Sequence, residues 1–547
     1  MKLHIEYFVL NKLYKIDNDI DKNITYDDEN LGLLIEKADD RISLKIYPNK
    51  EIKIEKVELE YNYDFSEEDR IFFNGYQGWS FSQEDTIHTK KRGFNALPFF
   101  KRLMLTKFHL NRYGDYDFAE YPNKEGYNHS WSYLYIRRKD NYKLFGSLNE
   151  DYAFTRFVFD YSRKAIIIIP DLKGHISVTS FKAFDFCILD GKEDEVFDKW
   201  FELMGVAKPR AKKVLGYTSW YNHYQDINED KINNDFNGIK ALPAKIDVFQ
   251  IDDGWETKIG DWLNEDETKF KSGLKTIVNN IHENGMLAGL WLAPFSAETE
   301  SNLFKEHPDW FVKDEKGEPY ICGVNWSSFY GLDIYNEEVR DYLKKVFDKV
   351  FNVWGFDLVK LDFLYSACAH NRSDKPRGEV MADGMKLLRQ LCGDKLILGC
   401  GVPLASAFGR VDYCRVGCDV SLDYDDVFYM RRAHPERVST KHNMINTIFR
   451  RQLDNRAFLN DPDVFILRDE NVKMSETQKE TLATINGLFG SVLFMSDDAS
   501  KYDTHKLDLY KKIIDLKGKA ISVDYQNGEA VVLYDDNGTT KEIRIKR

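Results

Sequence analysis

The chain has few cysteines for its 547 residues: seven, an odd and scattered set (Cys187, Cys322, Cys368, Cys392, Cys400, Cys414, Cys418) with no C-x-x-C pair. That argues against a disulfide framework and fits reduced thiols in a cytoplasmic protein. No apolar run approaches the ~18 residues a membrane span needs. The N-terminal stretch MKLHIEYFVLNKLYKID alternates and carries charges, so it reads as a strand rather than a secretory leader. Net charge is −13 and no basic block exceeds a few residues, which argues against nucleic acid as a partner. The acidity itself speaks only to solubility. G-x-G-x-x-G, a Walker motif, H-E-x-x-H and G-x-S-x-G are all missing, and His223, His282 and His307 lie far apart. Phosphate-loop, zincin and serine-elbow chemistries lose their motifs, and neither a catalytic metal nor a cofactor is expected.

Hydrophobic residues make up 43% and aromatics 14%, enough for a large core and for sugar-stacking surfaces, although β packing uses most such rings. The length predicts two or three domains. Residues 1–205 read as an antiparallel β-sandwich: RISLKIYP, IKIEKVELEYNY, WSYLYIRR, FTRFVFDY and KAIIIIP alternate between polar turns. Within this region F-N-G-Y-Q-G-W-S-F-S, carrying Trp79, reads either as an ordinary turn or as a lip reaching a pocket elsewhere. Residues 206–505 then alternate eight short apolar runs with helical segments: VLGYTSW, IDVFQIDD, LAGLWLAP, LVKLDF, KLILGCG, VDYCRVG, RAFLND and SVLFMSDD. Eight βα units over roughly 300 residues predict a (β/α)8 TIM barrel. The connector PLASAFG is barely a helical turn, and the long third connection, with ESNLFKEHPDWF, predicts a helical cap beside the barrel mouth. Residues 506–547 return to strands with N-G and D-N-G turns, predicting a small β-domain.

Catalytic groups of such barrels gather at the C-terminal strand ends. Here nearly every strand ends in a polar group: Asp252-Asp253-Gly254-Trp255, Trp291, Lys360-Leu361-Asp362, Cys400-Gly401, Arg415 followed by Asp419, Asn460-Asp461 and Asp497-Asp498. Lys360 and Asp362, two apart, share a strand face. An ammonium there keeps a carboxylate ionised, as a nucleophile requires, unless the two form only a structural ion pair. Asp419, semi-buried near another carboxylate, suits a general acid, or else caps a helix among Asp423, Asp425 and Asp426. Two carboxylates facing one pocket are what glycosidic bond cleavage needs. Asp252 and Asp253 suit neighbouring sugar hydroxyls, although D-D-G is also a common turn.

The ordered pieces F-Q-I-D-D-G-W, G-L-W-L-A-P, H-P-D-W, G-L-D, V-K-L-D-F, R-V-G-C-D and N-D-P-D, with N-G-Y-Q-G-W-S in front, resemble the clan-D α-galactosidases, most closely glycoside hydrolase family 36. The resemblance implies retaining hydrolysis of a terminal α-galactosyl residue of an oligosaccharide, with Asp362 as nucleophile and Asp419 as acid/base. It implies that Asp252 and Asp253 bind the C4 and C6 hydroxyls, Lys360 contacts the sugar, Arg415 holds another hydroxyl, and Trp255 and Trp291 face the ring. Trp79 is implied to reach the pocket from the front domain or from a neighbouring subunit of a homo-oligomer. Strand five departs from the family pattern: G-C-G-V-P keeps Cys400, which the resemblance implies contacts the sugar, but lacks C-x-x-G-G, the stretch used near C2. That opens the site to N-acetylgalactosamine or galactosamine. Transfer to a sugar acceptor, and sugar binding on an inactive barrel, are the other readings.

Overall fold

The computed structural model describes residues 1–240, 242–425, 431 and 434–547. Two antiparallel sheets stack at the N-terminal end. One runs from Lys12–Asp19 through Lys2–Val9 and Ile52–Asn62 to Tyr127–Trp131; the other runs from Ile24–Asp27 through Arg41–Pro48 and Phe181–Gly191 to Gln83–Asp85. Period-two alternation drives this arrangement. Leu3, Ile5 and Tyr7 of the first sheet and Leu44, Leu134 and Phe145 of the second turn inward into one apolar core. The helix Glu193–Met204 carries Val196, Phe197, Trp200 and Phe201 on its buried face and leads to the barrel.

Eight parallel strands follow: Val214–Thr218, Val248–Ile251, Leu287–Leu292, Leu358–Leu361, Leu396–Gly399, Tyr413–Arg415, a seventh in two pieces, and Val492–Met495. The seventh closes the ring. Leu459–Asp461 pairs with strand six and Val464–Phe465 with strand eight. Pro462 between them has no N–H for a ladder, and Asp463 takes the left-handed conformation at φ 73. At the kink the Asp463 carboxylate accepts from Arg415 and from the Val420 amide.

The short fifth connection is the four-residue helix Leu404–Ala407, as its composition predicts. The third connection differs from expectation. Besides the helix Asn302–Glu306 it builds a three-stranded antiparallel sheet from Ser296–Glu298, Phe329–Gly331 and Ile321–Gly323. These strands are three residues long, too short for alternation to be read from the sequence. The helix Thr504–Ile514 runs across the sequence-based edge at 505 before the final sheet, Ala520–Gln526, Glu529–Asp536 and Thr539–Lys546. Both turns of that sheet carry left-handed Asn-Gly pairs. Among the described residues no helix is long and apolar enough to cross a membrane.

Candidate active site

A cavity of about 620 Å³ opens at the C-terminal ends of the strands. Its lining brings together Asp252, Asp253, Trp291, Lys360, Asp362 and Asp419 from the barrel with Trp79 from the front domain. Strand position explains the convergence: each barrel residue sits at or just beyond the end of its strand.

Asp362 is held on both oxygens. Trp291 Nε1–H donates to Oδ2 at 3.1 Å, and the Phe363 amide donates to Oδ1 at 2.8 Å. Phe363 itself lies at φ 52, a conformation that a bulky residue adopts only when its surroundings force it. Its ring is clamped between Trp79 (5.0 Å) and Trp326 (4.9 Å). Lys360 Nζ lies 2.9 Å from Asp252 Oδ2 and 4.0 Å from Asp362 Oδ2. The ammonium expected beside Asp362 therefore bridges two carboxylates and sits closer to Asp252. Burial opposes its charge, yet the two carboxylates hold its pKa above the usual lysine range. Asp252 also accepts from Gln250 Nε2 (2.6 Å) and Thr218 Oγ1 (3.1 Å).

Asp419 lines the same cavity with its side chain 36% exposed, while Arg415, to which it is joined, is buried. Burial in the recess pushes its carboxyl pKa up; Arg415 and Lys360 oppose that, and Asp362 and Asp252 add to it. A raised pKa keeps the proton on a general acid near neutral pH. Arg415 Nη1 donates to Asp419 (2.9 Å), Nη2 to Asp463 (2.8 Å) and Nε to Asp461 (3.1 Å).

Three residues expected to touch the sugar stand behind the cavity lining. Arg415 is spent on those three carboxylates. Trp255 is fully buried and donates to the Trp291 carbonyl at 2.9 Å, so it supports Trp291 rather than facing the ring. Cys400 is buried with its sulfur 3.4 Å from Trp79 Nε1. Trp79 reaches this pocket within its own chain. Arg450, fully buried, donates to the carbonyls of Gln77, Gly78 and Val416 and to Asn74 Oδ1, which fixes the loop against strand six.

Sequence reasoning missed Glu436, Gln225, Trp326 and Asp463. Glu436 lines the cavity, accepts from Ser80 Oγ at 2.5 Å and is pushed up to about 8 by burial. Its partner lies 356 positions away in the sequence, so no local pattern marks it. Asp463 was legible only as part of N-D-P-D. It accepts from Arg415, from Tyr221 Oη and from the Val420 amide, and burial pushes it up to about 7. Of the aspartates near Asp419, Asp425 pairs with Arg437 and Lys441, while Asp426 lies outside the described residues. Among the described residues no cluster of His, Cys, Asp or Glu is placed to hold a metal ion.

The Asp463 contact gives a pH test. Removing its negative charge in Asp463→Asn frees Arg415 to act on Asp419, which lowers the Asp419 pKa. The alkaline limb of kcat/KM for an aryl α-galactoside is expected to move to lower pH by about half a unit to one unit; an unmoved limb would remove Asp463 from the control of Asp419.

The fold and site together are a β-sandwich joined to a (β/α)8 barrel whose mouth is lined by carboxylates and tryptophans. Residues 207–379 match the Melibiase family model, and the chain has the fold seen in solved glycoside hydrolase family 36 α-galactosidases. An α-galactosidase of Lactobacillus acidophilus is 32% identical over 176 residues, 31% of this chain and 23% of that protein. A blood-group A α-D-galactosamine galactosaminidase of Flavonifractor plautii is 34% identical over 169 residues, 29% of this chain and 15% of that protein. The aligned part thus spans under a quarter of the length of these two curated relatives. Among solved structures, the Thermus thermophilus α-galactosidase in complex with p-nitrophenyl α-D-galactopyranoside superposes with a TM-score of 0.71 at 23% identity, covering 95% of this chain and 98% of that one. A family 36 α-galactosidase of Geobacillus stearothermophilus gives 0.60 at 13% identity, covering 93% and 71%.

Proposed function

We propose that the protein is a retaining exo-α-galactosidase that removes terminal α-galactosyl units from oligosaccharides by double displacement. One observation carries the reading: Asp362, pinned by two N–H donors, and Asp419, held toward its protonated form, line the same cavity. In the first step Asp419 gives its proton to the leaving oxygen while Asp362 attacks the anomeric carbon from the β face. In the second, Asp419 takes a proton from water, which displaces Asp362 and restores the α configuration. Asp252, Asp253 and Lys360 hold hydroxyls of the sugar; Trp291 and Trp79 supply its apolar walls. Arg415 acts through Asp419. Seven unpaired, buried thiols support a reducing, cytoplasmic location.

A second reading, cleavage of an α-galactosaminide or N-acetylgalactosaminide, is favoured by the likeness to the Flavonifractor plautii galactosaminidase and by G-C-G-V-P at strand five. A panel of aryl α-glycosides separates the two. We expect the galactoside to be cleaved and the first sugar product, followed by NMR, to be the α-anomer. Cleavage of only the 2-amino or 2-acetamido sugar would replace the galactosidase reading, and a β-anomer would replace the retaining one. An added sugar acceptor captures any transfer activity as a new glycoside.

A further inference from the structure

Behind the cavity wall, Asp253 meets a second carboxyl that the proposed reaction leaves unused. Gly254 at φ 116 folds the chain back on itself, and a Cβ there would lie 2.7 Å from the Gln225 carbonyl oxygen. This turn brings Glu256, buried, into a side-chain hydrogen bond with Asp253. Two carboxyl groups make that contact only when one keeps its proton. Asp253 also accepts from Gln225 Nε2 (3.0 and 3.2 Å) and from Trp326 Nε1 (3.0 Å). A carboxylate has about four acceptor sites. Three protein donors therefore leave one for a ligand in the cavity.

The donors around the pair favour Glu256 as the proton holder: the Gln225 amide and the Trp326 indole N–H both stabilise an ionised Asp253. The negative charge of Asp252, the preceding residue, opposes them by raising the Asp253 pKa. Beside Glu256 stand Lys258, Lys269, Glu298 and Glu300. Both lysines are committed elsewhere: Lys269 to the carbonyls of Gly254 (2.8 Å) and Gln225 (3.2 Å), Lys258 to Glu300 (3.1 Å) and Glu298 (3.8 Å). Burial, then the Asp253 charge, drive the Glu256 pKa well above the carboxylate range.

We propose that Glu256 is a positioning residue for sugar binding: its carboxylic acid donates to Asp253 and, with Gln225 and Trp326, turns the free Asp253 lone pair toward a sugar hydroxyl. This rests on the reading of Asp253 as a sugar ligand. When Glu256 loses its proton, two anions face each other and Asp253 swings out of register, so binding weakens on the alkaline side. The effect falls on ligand affinity and KM more than on kcat.

The test is D-galactose binding by titration calorimetry across pH, alongside kcat and KM for an aryl α-galactoside. Glu256→Gln supplies a donor that does not titrate; it is expected to bind galactose within about threefold of wild type at neutral pH and to lose the alkaline weakening. Glu256→Leu supplies none and is expected to bind about ten- to a hundredfold more weakly, with a smaller change in kcat. Asp419, Asp463 and Glu436 are present in every variant, so the difference between profiles isolates Glu256. An alkaline loss unchanged in Glu256→Gln, or wild-type affinity in Glu256→Leu, overturns the inference alone. A wild-type protein that neither binds nor cleaves galactosides overturns the galactoside reading, and this inference with it.

Discussion

Asp362→Gly is expected to lower kcat for an aryl α-galactoside by on the order of 10⁴-fold or more, roughly 5 kcal/mol of transition-state stabilisation. The loss follows from the absence of the atom that would attack the anomeric carbon. The vacated volume then admits a small anion to the β face, where Trp291 Nε1–H and the Phe363 amide now meet the Asp362 oxygens. Added azide should restore turnover, with β-galactosyl azide as the product, read by proton NMR. Retained hydrolysis in the variant would remove Asp362 from the mechanism. The variant also leaves Lys360 with Asp252 as its remaining contact, so thermal unfolding should be measured beside the kinetics.

The second large effect is at Asp419. In Asp419→Ala, substrates with a poor leaving group, such as a disaccharide, should lose about 10²–10⁴-fold in kcat/KM because no acid protonates the departing oxygen. A nitrophenyl leaving group needs no such help, so its kcat/KM should fall far less. Its kcat should still drop, because water attack on the glycosyl–Asp362 bond lacks a base. KM should drop with it as that intermediate accumulates. Azide here attacks the intermediate from the open face and gives α-galactosyl azide. The two variants therefore yield opposite anomers of the azide, a distinction that no general loss of folding would produce. Equal losses for good and poor leaving groups would remove the acid role. Arg415, buried and shared among Asp419, Asp461 and Asp463, keeps the Asp419 carboxyl oriented without neutralising the effect of its burial.

The legible part of this protein was whatever repeats along the chain. Inward-facing residues at every second position marked the front sheets, and short apolar runs between helical segments marked the barrel. Because a barrel strand presents its C-terminal end at one face, Asp252, Asp362 and Asp419 could be assigned to one mouth from their places in that repeat. Short elements escaped: three-residue strands in the third connection carry no readable period.

The sequence by itself determined the barrel, the carboxylates at its mouth and the turn chemistry of the last sheet, since each depends on local spacing or on glycine and asparagine at turns. Only the tertiary structure decided which polar groups face the cavity and which stand behind it. Trp255 and Arg415 lie at the strand ends as read, yet one is buried under Trp291 and the other is consumed by three carboxylates. Trp79, Glu436 and Glu256 entered the site or its backing through contacts distant in the chain or through a fold-back at one glycine. Burial and long-range charge set whether each carboxyl keeps its proton, and neither is written in the spacing of residues.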